Sequence, residues 1–166
     1  VTWIGKVISY FEHLLNKKEY SKKSLKLLGT LTFFLTVFPI TAIAFLIEHL
    51  LLNFNYGFVI QALLIWPFLA TKSLYTHVKD VADALDKKDL IASRAALSKI
   101  VGRDLTNSDE HTICSGAIES LSENTSDGVI APLFWAFLFG LPGIVFYKAI
   151  NTLDSMVGYK NNKFLD

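Results

Sequence analysis

Polar and apolar positions are sorted into long blocks along this chain. Leu27 to Ile47 carries no charge, and a helix of roughly 20 residues matches the ~30 Å hydrocarbon core of a bilayer. The run predicts a spanning helix kinked at Pro39, with Thr36 or Thr41 satisfying the backbone groups that the proline frees. A second apolar run, from about Phe54 to Ala70, has Tyr56 at one end and Trp66 and Pro67 near the other, where amphipathic rings suit membrane interfaces. With Glu48, His49, Asn53 and Asn55 in the connection, residues 27–71 read as a transmembrane helical hairpin.

The pattern then changes. Leu74, Val78, Val81 and Leu85 recur at helical spacing, Asp86-Lys87-Lys88-Asp89 makes a turn, and Leu90, Leu97, Ile100 and Val101 mark a second helix ended by Gly102. Asn107 with Glu110 predicts a capping box opening a third helix toward Glu123. Residues 72–128 thus form a helical region between apolar blocks. A third block, 129–147, is uncharged but interrupted by Gly140, Pro142 and Gly143. It is long enough to cross, yet Lys148, Lys160 and Lys163 make its far end basic too. The expectation is a broken or re-entrant segment that dips into the membrane and returns, or lies buried in protein, so that both of its ends share the cytoplasmic side.

Composition and charge position sharpen this. Apolar residues make up 52% of the chain and charged residues 19%, with a mean hydropathy of +0.40, which disfavours a soluble domain. Lys6, Lys17, Lys18, Lys22, Lys23 and Lys26 precede the first span, and Lys72, Lys79, Lys87, Lys88, Arg94, Lys99 and Arg103 follow the hairpin, whereas its connection has no lysine or arginine. By the positive-inside rule, residues 1–26 form a basic cytoplasmic segment and 72–128 share that side. The fold class expected is all-α: a polytopic integral membrane protein with a helical cytoplasmic region. Cys114 is the sole cysteine, so neither a disulfide framework nor a cysteine zinc site is expected. The chain begins at Val1 and stops at Asp166, soon after a polar cluster, which suggests a fragment missing both ends.

Two dense polar clusters flank the broken segment. Glu119 and Glu123 are neighbours on one helix face, a repulsive spacing that a divalent cation would relieve, with Asp127 completing an oxygen set of the kind magnesium accepts. A solvated helix end ended by Asn124 and Gly128 explains the same residues without a metal. After the segment, over 148–166, Asn151, Asp154 and Ser155 share a helical face; the bland reading is a cap with interfacial polar groups. Arg103 presents a guanidinium that Asp104 would orient toward a phosphate, or the two form an ordinary surface pair. His13, His49, His77 and His111 lack metal-like spacing, and none is assigned a role. A transporter would place ionisable groups within its spans, and Leu27 to Ile47 and Tyr56 to Ala70 hold none. A non-catalytic sensor or scaffold is the other alternative.

The run AIESLSENTSDGVIAPLFWAFLFGLPGIVFYKAINTLDSMVGYKN, with Trp3-Ile4-Gly5 and Val101-Gly102-Arg103-Asp104, resembles the signature region of the CobD/CbiB membrane proteins of cobalamin biosynthesis, the adenosylcobinamide-phosphate synthases. The resemblance implies a multi-pass enzyme of the cytoplasmic (inner) membrane whose active site faces the cytoplasm. Its reaction would be ATP-dependent amide ligation of adenosylcobyric acid with (R)-1-amino-2-propanol or its O-phosphate. On that reading Glu119, Glu123 and Asp127 hold Mg2+ and nucleotide phosphates, and Arg103, Lys148 or Lys160 neutralise phosphoryl charge. Asn124, Asn151 and Asp154 position amine or corrinoid amide groups, Asp154 counting among the catalytic carboxylates, and Asp104, Ser126, Thr152 and Ser155 complete the substrate contacts. The bilayer and other late corrinoid-pathway enzymes are the expected partners, and nucleic acid is not. Leu105 departs from the threonine expected after the Arg-Asp pair.

Overall fold

The computed structural model describes residues 2–15 and 22–158, and among them every regular element is helical. Lys17, Lys18, Lys160 and Lys163, invoked for orientation or charge neutralisation, lie outside the described residues. Two compact units emerge: Val1–Phe68 with Pro132–Asp166, and Leu69–Ala131. Three helical stretches, Ser24–Leu51, Gly57–Asp86 and Glu110–Val157, are long and apolar enough to cross a membrane.

The first unit contains helices α1 (Thr2–Leu15), α2 (Lys22–Leu51) and α3 (Gly57–Ile65). The pattern of the basic N-terminal segment did not predict α1. Ile4 and Ile8, one turn apart on α1, are fully buried against Val37 of α2 and Ala149, with Phe33, Ile40, Phe146 and Met156 packed around them. Elsewhere α2 keeps its large apolar side chains outward, Leu27, Phe38, Phe45 and Leu50 among them. That arrangement suits a lipid-facing helix, which gains nothing by hiding leucine from hydrocarbon.

Helix α2 continues through Pro39. The two threonines bond carbonyls other than the one expected: Thr36 donates to the carbonyls of Thr32 and Phe33, and Thr41 to that of Val37. The carbonyl that Pro39 deprives of a donor is Leu35's, four residues back. The return limb also differs from the expected second span. Helix α3 stops at Ile65, and Trp66–Phe68 form a 3-10 turn. Pro67 lacks an N–H, and α3 by itself measures only about 14 Å, so the crossing length of the Gly57–Asp86 stretch is reached only together with the helical residues that follow.

The second unit contains α4 (Thr71–Asp86), α5 (Leu90–Leu97) and α6 (Glu110–Thr125). Val81, Leu97, Leu105, Ile113 and Ala117 form its core, flanked by Leu85, Ile100 and Val101. The core includes Leu105, 5% exposed. Leucine at that position fills apolar space that a hydroxyl would have to enter with a hydrogen-bond partner.

Two predicted helix ends are corrected. Helix α5 stops at Leu97, before Gly102, because Ser98 to Ile100 tighten into a turn. Helix α6 is capped by Asp109, whose carboxylate accepts from the Thr112 N–H at 2.8 Å, so the Asn107–Glu110 box does not form. An aspartate directly before the first helical residue reaches that donor, whereas Asn107 stands too early in the chain.

Ser126–Ile130 form a π-helical turn, and α7 (Ala131–Val157) follows. The interruption of α7 falls at Phe139 and Gly140, whose backbones leave the helical region (φ −133°, ψ 15° and φ 61°, ψ −144°). Pro142 then sits at the start of the renewed helix, where its missing N–H costs little. Trp135 and Phe146 have ring centroids 6.1 Å apart. In one straight helix these positions would be about 16 Å apart along the axis. The apolar segment therefore bends sharply back on itself within the first unit.

Candidate functional site

The first polar cluster lies in the second unit, on the last turns of α6 and the π-turn after it. Such one-residue expansions of a helix recur at functional sites, and this one overlaps the end of the Glu123-Asn124-Thr125-Ser126-Asp127-Gly128 run. Glu119 and Arg103, assigned separate tasks by the sequence, are bonded to each other: Arg103 Nη2 donates to Glu119 Oε2 at 3.0 Å. Gly116, buried one turn earlier, makes this possible. A Cβ there would lie 3.5 Å from the guanidinium carbon and nearer still to Nη2, so the guanidinium rests on bare helix backbone. The side chains are 47% and 67% exposed, and an open pair of this kind contributes only about 0–1 kcal/mol. Its value is geometric, because it fixes where the remaining guanidinium N–H groups point.

Asp104 does not orient Arg103. It turns inward on its own loop, accepting from the Thr106 hydroxyl at 2.6 Å and the Thr106 N–H at 2.9 Å. Those bonds, the hydroxyl's first, hold its carboxyl below the usual range, and the Thr112 side chain and N–H do the same for Asp109. A depressed native value stabilises the fold above the unfolded pKa and is lost as pH falls through the native one. Thermal stability should therefore be flat near neutrality and decline below about pH 4. An Asp104→Asn/Asp109→Asn variant, which keeps the oxygen acceptors but not the charges, should show a shallower decline in thermal melts between pH 6 and 3.

The expected three-carboxylate metal set is not gathered. Among the described residues no group of three His, Cys, Asp or Glu side chains could hold a metal ion. Glu119 is turned toward Arg103, and the π-turn interrupts the α-helical register that would stack Asp127 under Glu123. Glu123 and Asp127 are both exposed.

Asn124 leads to a feature that spacing did not reveal. Its amide donates to the Ser120 carbonyl at 2.8 Å and to the Ser120 hydroxyl at 3.1 Å, and that hydroxyl donates to the Ile100 carbonyl. This chain of bonds fixes Asn124 at the edge of a cleft of about 300 Å3 lined also by Ala70, Ser73, Leu74, His77, Lys99 and Ile100. The Ala70 N–H donates to the Gly128 carbonyl at 3.0 Å, tying the start of α4 to the π-turn. Ser73, His77 and Lys99 are thus brought to a predicted site residue. The only sequence signal for Ser73 and His77 was the helical period of α4, which shows a buried face but not what a polar residue beside it meets, and Lys99, in the turn after α5, entered only as one of the basic residues that set orientation.

The second cluster lies on the last turns of α7, in the first unit. Lys148 is 7% exposed, Asn151 and Thr152 are half-buried, and Asp154 and Ser155 are exposed. Thr152 and Ser155 spend their hydroxyls on the carbonyls of Lys148 and Asn151. Ser126 and Asp154 stand at the surface of their respective units.

One glutamate outside both clusters has an unforeseen place. Glu48, near the end of α2, accepts hydrogen bonds from the Gln61 amide of α3 and from the Leu141 N–H at the renewed start of α7, the latter at 3.2 Å. It therefore caps the helix that restarts after Gly140, joining three segments distant in sequence.

Residues 1–166 match the family described as CobD/Cbib protein. The relatives include a cobalamin biosynthesis protein CobD of Clostridium tetani, 44% identical over 99% of this chain and 52% of its own length. A Sinorhizobium protein of that name is 42% identical over 99% of this chain and 51% of its own. A probable cobalamin biosynthesis protein CobD of Methanocaldococcus jannaschii is 40% identical over 98% and 54%. The chain spans about half the length of these curated relatives, and no solved structure matches it.

Proposed function

The chain belongs to the CobD/CbiB family, and from that membership we propose that it serves cobalamin biosynthesis as part of an adenosylcobinamide-phosphate synthase. The reaction is ATP-dependent amide formation between adenosylcobyric acid and (R)-1-amino-2-propanol or its O-phosphate. The observation that carries this reading is the family match over the full chain, which takes in both polar clusters. The geometry adds chemical support. A carboxylate must be activated, as an acyl phosphate, before an amine can displace the phosphate, and such transfers rely on fixed cationic donors around the phosphoryl oxygens. Arg103, held between Gly116 and Glu119, is such a donor.

Magnesium bound with the nucleotide would supply charge neutralisation on its phosphates, and the exposed carboxylates of Glu123 and Asp127 would be the residues that meet its water shell. Asn124 contacts substrate from the cleft edge. On this reading the enzyme sits in the cytoplasmic membrane, with the site toward the cytoplasm and the other late corrinoid-pathway enzymes as its partners; three stretches long and apolar enough to cross a membrane support the membrane part of it, and the lysine and arginine asymmetry supports the orientation.

Membranes containing the protein should convert adenosylcobyric acid to the amide only when ATP, Mg2+ and the amine are all supplied, with one ADP per amide read by mass spectrometry and coupled assay. Running the amine with and without its phosphate assigns the natural nucleophile. Substrate movement across the membrane without covalent change would refute the ligase reading.

A further inference from the structure

The ligation needs a proton acceptor, because an alkyl amine reaches the site as an ammonium ion and only the free amine attacks. We infer that His77 is that acceptor and that the cleft it lines in the second unit receives the amine; the inference rests on the ligase reading above. His77 alone among the four histidines is not fully exposed, since His13, His49 and His111 all stand open to solvent. Its Nδ1 lies 2.7 Å from the Ser73 carbonyl oxygen. A carbonyl can only accept, so Nδ1 carries the proton and the neutral ring keeps its lone pair on Nε2. A carbonyl fixing one imidazole nitrogen so that the other works as base or ligand is a recurrent arrangement.

The rest of the lining suits the same task. Lys99 supplies a cation to the cleft. It disfavours a second positive charge beside it, and so favours the amine over the ammonium form. Asp80, one turn beyond His77 on α4, pairs loosely with Lys99 at 3.8 Å. Helix α6 contributes uncharged Asn124, anchored through Ser120 with its amide N–H groups directed along the helix. Ala70, Leu74 and Ile100 give an apolar wall for a short carbon chain, and about 300 Å3 accommodates a small amine. Asn124 also places the cleft next to the π-turn motif.

In the step proposed, Nε2 takes one proton from the ammonium nitrogen and the freed pair forms the C–N bond at the activated carbonyl. The C–O bond to phosphate breaks, phosphate leaves with that electron pair and takes the second proton that the nitrogen must lose to become an amide, and the imidazolium returns the first proton to water. ATP, consumed earlier in activating the carboxylate, is the only co-reactant.

Weakly basic amines separate this role from a structural one, since hydroxylamine is unprotonated at neutral pH and needs no base. In membranes carrying His77→Gln or His77→Asn, amide formation with aminopropanol should fall on the order of 100-fold, while ATP-dependent hydroxamate formation with hydroxylamine is retained. An equal fall with both nucleophiles, or no fall with either, overturns the assignment. A wild-type protein that makes neither amide nor hydroxamate overturns the ligase reading itself, and the assignment with it.

Discussion

Gly140→Ala will cost the protein both stability and activity. Gly140 has φ 61° and ψ −144°, a region essentially reserved for glycine, and forcing a side chain into such a conformation costs about 1–3 kcal/mol. Space compounds the cost. A Cβ at this position would overlap the Glu48 carboxylate, lying 2.8 Å from its carbon, and would come within 2.9 Å of the Gln61 amide nitrogen. Those groups cannot simply withdraw, because Glu48 is the acceptor for the Leu141 N–H that reopens the helix. Thermal unfolding in detergent should shift down by several degrees, and amide formation should drop with it. Gly29→Ala is the control: nothing lies within 4 Å of the added methyl on α2, and helical glycine is the weaker residue by roughly 0.5–1 kcal/mol. Equal melting temperatures for the two variants would show that the bend at Gly140 is not a constraint on the fold.

How much of this was legible in the sequence depends on the range over which each residue acts. The apolar blocks announce spanning helices because lipid exposure leaves a local record, an unbroken run of Leu, Phe and Ile. The interruption at Gly140 and Pro142 was visible for the same reason, since both residues punctuate helices whatever surrounds them. Other features depend on contacts that spacing does not encode. Glu48 reads as a connecting-loop acid, and only the fold shows it seated against Gly140 and Gln61. Glu119 and Glu123 do share a helix, as their spacing requires, but the preference of Glu119 for Arg103 depends on the glycine beneath the guanidinium. The cap of α6 was placed two residues early because Asn107 and Asp109 are both good cap residues, and the choice falls to the burial of Ile113 and Leu105 that sets where the helix starts. His77 looked idle because its partners on α4, in the turn after α5 and on α6 meet only in three dimensions.

The bond between Arg103 and Glu119 separates two accounts of the acidic cluster. If Glu119 were a magnesium ligand, Glu119→Gln would raise the Mg2+ concentration needed for half-maximal rate, and its effect would multiply with that of an Arg103 substitution. The structure favours the other account, in which Glu119 acts through Arg103 and the metal demand stays where it was. Arg103→Ala should reduce amide formation roughly 100-fold, the scale seen when one fixed donor to a developing charge is removed. Arg103→Lys should recover little, because an ammonium cannot keep one N–H on Glu119 while presenting a planar fork to phosphate. Glu119→Gln should lower the rate by less, since its amide oxygen still accepts from Nη2. In the Arg103→Ala background, Glu119→Gln should do nothing further, the non-additivity expected of residues that act as one unit. Stability would hardly register any of these changes, because the pair is open to solvent. A rate loss without a melting shift, joined to an unchanged Mg2+ titration, would make Glu119 the residue that aims the guanidinium, while a raised Mg2+ requirement would return it to the metal.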